Sequence, residues 1–75
     1  MDNVSKIIKT AKLLMDEVNF EMAAVYFEQA ADISISDGDI NAAIEYLIEA
    51  RNCYNLLGNT KLESKINEKI DSLRK

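Results

Sequence analysis

The sequence predicts an all-α fold of four antiparallel helices, and three observations carry that expectation. Apolar residues recur at spacings of three and four with no strict alternation anywhere, which is the helical period rather than the strand period. The chain has no proline and only two glycines, so long stretches run without a helix breaker. Those glycines, Gly38 and Gly58, stand where the apolar pattern is interrupted and where helix-capping residue types gather.

The first helix is expected over 3–17, with Val4, Ile7, Ile8, Ala11, Leu14, Met15 and Val18 on one stripe. Asn19, a good N-cap type with no glycine ahead of it, opens a second helix over 20–36. Gly38 then closes that helix in the left-handed conformation and Asp39 caps a third over 39–57. After Gly58, Thr60 and Glu63 have capping-box spacing and start a fourth helix over 60–74.

The four helices differ in how much of their circumference is apolar. In the second, residues from Phe20 and Met22 through Phe27 to Ile35 cover roughly 220° of the wheel, and Ile40 through Leu47 to Leu57 cover a similar arc in the third. The first covers roughly 120° and the fourth, with Leu62, Ile66, Ile70 and Leu73, under about 100°. A closed bundle turns every helix toward one core, so its arcs should match. In a stacked array inner helices touch neighbours on two sides and terminal helices on one. The unequal arcs predict an open array with the second and third helices inside. The pairs Ala23 with Ala24, Ala30 with Ala31 and Ala42 with Ala43 allow close axes, with Phe27, Tyr46, Leu47 and Tyr54 filling the remaining volume.

At 75 residues the chain reads as one domain, 1–75, small enough to bury only about 60% of the surface its unfolded form exposes. A lone cysteine, Cys53, rules out an intrachain disulfide, and the lack of histidine removes the usual zinc ligand sets. Helix packing or a partner subunit must stabilise the fold.

The net charge of −4 is unevenly spread. Between Leu13 and Ala50 lie nine acids and no base, whereas the first twelve residues net +2 and the stretch from Arg51 to Lys75 nets +3. An acidic middle argues against nucleic acid as a partner. It is either a solvated face or a surface for a basic protein or peptide. No run reaches the roughly 18 apolar residues of a membrane span, and Met1 to Thr10 lacks a signal-peptide apolar region, so a cytoplasmic location is expected.

Phe27, Ala30, Ala31, Gly38, Ile40, Ala43, Leu47 and Ala50 fall at the spacings of a tetratricopeptide repeat, which the chain resembles over 24–57. Ile7, Ala11, Leu14, Phe20, Ala23, Phe27 and Ala30 fit the same pattern over 4–37, sharing the second helix. The alanine-rich run with Gly38 and Asp39 is also similar to the stacked hairpins of soluble NSF attachment proteins. The proline that usually ends a repeat is absent, and Ser34 occupies a position where a large residue is common. Asn19, Phe20, Ala23, Phe27 and Ala30 resemble in addition the microtubule-interacting-and-trafficking domain, a three-helix adaptor. These resemblances imply a helical-hairpin module that binds a peptide, a helix or a subunit.

Chemistry finds few footholds. Asp37, Asp39 and Asn41 open like a calcium loop, but Ala42 and Ile48 stand where glycine and the bidentate glutamate belong, so helix capping explains the cluster. Glu45 with Glu49 and Glu28 with Asp32 are one turn apart, yet a helical dinuclear metal site also needs histidine. No histidine base and no phosphate loop is present. No catalytic residue, cofactor or metal is therefore expected. Cys53 and the tyrosines Tyr26, Tyr46 and Tyr54 read as packing residues.

Leu13 and Leu56 project from polar faces, and Val25 interrupts the acidic face of Glu21, Glu28 and Asp32. With Glu45 and Glu49 these residues form the expected partner surface: an apolar anchor ringed by carboxylates, suited to a basic or amphipathic-helical partner. The expectation is a non-enzymatic adaptor. A self-associating structural protein is one alternative, because two hairpins fall short of the roughly three repeats that an array normally needs, and a trafficking-type three-helix adaptor that binds a helical motif is the other.

Overall fold

The computed structural model describes residues 3–75. Asp2, counted above in the amino-terminal charge, and the first residue of the 1–75 domain lie outside them. The chain forms four helices: α1 (Asn3–Asp16), α2 (Phe20–Ser36), α3 (Ile40–Leu56) and α4 (Thr60–Leu73). The expected helices are all present, with α1 and α4 ending one residue early and α3 trimmed by one residue at each end. At α3 the trimmed residues, Asp39 and Leu57, are the caps, half in and half out of the helix.

The three turns share one construction. At the second, the Gly38 N–H reaches the Ile35 carbonyl at 3.0 Å and the Asp39 N–H reaches the Ser34 carbonyl at 2.8 Å, the paired bonds of a Schellman ending. The third repeats them from Gly58 to Asn55 (3.0 Å) and from Asn59 to Tyr54 (2.9 Å), and the first from Val18 to Met15 (2.9 Å) and from Asn19 to Leu14 (2.8 Å). In each, the residue that closes one helix is followed by the N-cap of the next. The side-chain oxygens of Asn19, Asp39 and Asn59 accept from the amides of Met22, Ala42 and Leu62. Turns and helix starts therefore recur every twenty residues.

Three expectations are corrected here. The cap of α4 is Asn59, not Thr60, because the Schellman ending at Gly58 leaves the asparagine in the flanking position. Val18, placed on the apolar stripe of α1, lies beyond that helix, is 69% exposed and takes the left-handed conformation at φ +61°. Gly38 and Gly58 hold the same place at +82° and +73°. Met22 and Leu57, also assigned to apolar arcs, are exposed because they lie beside the turns and project past the helix contacts.

Each helix packs on its neighbours in the chain, α1 on α2, α2 on α3 and α3 on α4, within a body whose backbone measures 30 × 29 × 12 Å. Seven alanines, Ala11, Ala23, Ala24, Ala30, Ala31, Ala43 and Ala50, are wholly buried, which lets the helices approach closely. Phe27 and Leu47 are the largest side chains sealed between them, and burial of each stabilises the fold by roughly 1.5–3 kcal/mol. α2 and α3 supply most of the core, while α1 contributes only Ala11 in full and α4 only Ile66 and Ile70.

Candidate functional site

A shallow groove of about 390 Å³ opens on one face over α2. Lys12, Met15 and Asp16 on α1 form one wall, Glu49 on α3 the other, and Phe27 on α2 the floor. The local sequence explains the arrangement. Lys12, Met15 and Asp16 follow one another at spacings of three and one along the rim of α1, and the buried alanines of α2 sink its backbone between its neighbours.

The opposite face behaves differently. Lys69 on α4 reaches across α3 to pair with Asp32 on α2 at 3.1 Å. Subtracting the twenty-residue period from Asp32 and Lys69 gives Lys12 and Glu49, the same two positions with the charges exchanged. These two face each other across the groove, and among the described residues neither forms an ion pair. One face is bridged, and its counterpart presents an ammonium and two carboxylates over an apolar floor.

Further polar contacts tie α3 to α2 and to α4. The Tyr54 hydroxyl donates to Glu28 at 2.5 Å, and Arg51 donates to the Asn67 side chain at 2.9 Å. Burial, reinforced by the hydrogen bond and charge of Glu28, pushes the Tyr54 hydroxyl well above the usual phenol range. Cys53 is buried beside it, its thiol pushed up by burial and then by the nearby Glu49 carboxylate. It is a packed side chain, not an exposed thiolate.

The eight expected partner residues do not form one patch. Glu49 lines the groove and Glu45 is exposed one turn before it on α3. Glu28 is half-buried under Tyr54, and Asp32 is engaged by Lys69. Leu13, Glu21, Val25 and Leu56 are exposed toward the end that carries the first and third turns. Lys12, Met15, Asp16 and Phe27 line the groove and are not among the expected partner residues. Aligning the chain with itself at a shift of twenty is the signal that finds them, because it equates Lys12 and Glu49 with a pair that closes.

Among the described residues no group of three or more potential metal ligands is assembled, and no helix is long and apolar enough to cross a membrane. The chemistry at hand in the groove is apolar contact with Met15, over the buried Phe27, and charge pairing with Asp16, Glu49 and Lys12. No family model matches the chain, and no curated protein or solved structure matches it. What identifies it is its architecture. It is an all-α, four-helix domain of the helical-hairpin kind.

Proposed function

We propose that this domain is a non-enzymatic protein-interaction module, an open, tetratricopeptide-like array of two hairpins that receives a partner segment in the groove over α2. The observation that carries the reading is the unbridged groove itself, with an apolar floor and charged walls, on a domain whose other face is spanned by Lys69 and Asp32. The backbone is 12 Å deep against 30 and 29 Å in the other two directions, and only consecutive helices pack backbone to backbone, Lys69 reaching from α4 to α2 by its long side chain, a pattern that supports an open array.

Two carboxylates against one ammonium favour a segment that lays an apolar side chain on Met15, above the buried Phe27, and carries a lysine or arginine beside it. Glu45, one turn along α3, extends the acidic wall.

End-to-end stacking of copies through the outer helices is disfavoured by their composition. The twenty-residue period places Ser64, Glu68 and Asp71 on the outward side of α4, and Asn3, Lys6 and Thr10, with Leu13 at the end, on that of α1. Polar outer faces of this kind are typical of capping helices.

Affinity capture comparing the wild-type domain with Met15→Glu and Glu49→Lys variants tests the proposal. Glu49 is exposed and Met15 half-buried against the core, so each variant is first checked for a wild-type melt by circular dichroism, and both should then lose the partners that the wild type retains. Equal recovery by all three contradicts it.

A further inference from the structure

Six large apolar side chains are exposed among the described residues: Leu13, Val18, Met22, Val25, Leu56 and Leu57. All six belong to one end of the domain. Leu13 lies in the last turn of α1, Val18 in the first interhelical turn, Met22 and Val25 in the first two turns of α2, and Leu56 and Leu57 at the close of α3. Antiparallel packing puts the first and third interhelical turns together at this end, and the influence of Glu21 on the Tyr54 hydroxyl agrees with that placement. The opposite end, with the second turn, carries Ser36, Asp37, Asp39 and Asn41 at its surface and, among the described residues, no exposed large apolar side chain.

The charges at the apolar end are divided by turn. Asp16, Glu17 and Glu21 surround the first, whereas Lys61 and Lys65 follow the third, with Glu63 between them accepting a hydrogen bond from the Asn55 side chain. Asp16, Glu17, Glu21, Lys61 and Lys65 are exposed, and among the described residues none of the five forms an ion pair. One half of the end is thus acidic and apolar, the other apolar with a net positive charge.

We propose that this end is a self-complementary surface on which a second copy of the chain docks about a two-fold axis. The axis sets the first turn of each copy on the third turn of the other, so that Val18 and Met22 meet Leu56 and Leu57 while Glu17 and Glu21 meet Lys61 and Lys65. A two-fold contact needs such complementary halves on one surface. Val18 adds support. A β-branched residue holds a left-handed position that glycine fills in the two equivalent turns, and its exposed side chain is what a glycine there would remove.

The surface is small. An end of 30 × 12 Å is well below the roughly 800 Å² per partner of a standard stable interface. The dimer is therefore weak, forms at high concentration, and is loosened by salt. The contact uses Glu17, Glu21, Lys61 and Lys65 and not the groove residues Lys12, Met15 and Glu49, with Asp16 on the border of both, so variants at the four contact charges test self-association separately from partner binding.

Sedimentation equilibrium from about 10 μM to about 1 mM, at low salt, tests the proposal. The weight-average mass should climb from 8.5 kDa toward twice that value. Glu17→Lys/Glu21→Lys and Lys61→Glu/Lys65→Glu variants should each associate at least about tenfold more weakly than wild type. Mixed together they should recover dimers, because both contacts are then between opposite charges. A constant monomer mass across the range overturns the proposal, as does a mixture no more associated than its components.

Discussion

Tyr54 on α3 donates its hydroxyl to Glu28 on α2, which turns a residue expected at a partner surface into an internal strut. A half-buried carboxylate that loses its donor is costly, since hydrogen bonds to charged groups contribute about 1.5–3 kcal/mol. Tyr54→Phe should lower the unfolding free energy by about that amount in urea titrations, and by distinctly less when Glu28 is already glutamine. Because the folded state raises the Tyr54 pKa, its stabilising effect is complete below the unfolded value near 10 and declines as pH rises toward the folded value. The stability difference between wild type and Tyr54→Phe should therefore narrow above about pH 10.

The three turns offer a comparison at equivalent positions. Val18 holds a left-handed φ that costs a β-branched residue about 1–2 kcal/mol relative to glycine. Val18→Gly should raise the melting temperature of the dilute monomer. Gly38→Ala and Gly58→Ala should lower it by backbone strain alone, because an added Cβ at either glycine meets nothing within 4 Å. Unchanged melting in all three would contradict the turn assignment.

Burial separates two groups of apolar residues that look alike in composition. Phe27→Ala and Leu47→Ala, both in sealed sites, should cost about 3–5 and 2–5 kcal/mol respectively. Leu13→Ala and Leu56→Ala, more than half exposed, should change stability by less than about 0.5 kcal/mol. Thermal melts followed by circular dichroism distinguish the groups.

The helices were legible because their punctuation is chemical: glycine where φ must be positive, and asparagine or aspartate where an amide needs an acceptor. Val18 was not legible as a left-handed residue, since nothing local marks a valine for that conformation. The exposure of Leu13, Val25 and Leu56 could be read from a single wheel. The fates of Glu28 and Asp32 could not, because their partners Tyr54 and Lys69 lie 26 and 37 residues away on other helices. The groove was hidden for the same reason. Its walls come from α1 and α3, and only their packing on both sides of α2 makes Lys12, Asp16 and Glu49 neighbours of one cleft.

The central claim is that the helices form an open single layer, which leaves the groove over α2 accessible. Nitroxide labels at Lys9→Cys and Glu68→Cys, both exposed positions on the outer helices, in a Cys53→Ala background measure it directly by pulsed electron dipolar spectroscopy. Three successive interaxial spacings of 8–10 Å place α1 and α4 about 25–30 Å apart in the dilute monomer, and a dominant distance in that range is predicted. A closed bundle would bring the same helices to about 10 Å, and a distribution centred below about 20 Å would contradict the account.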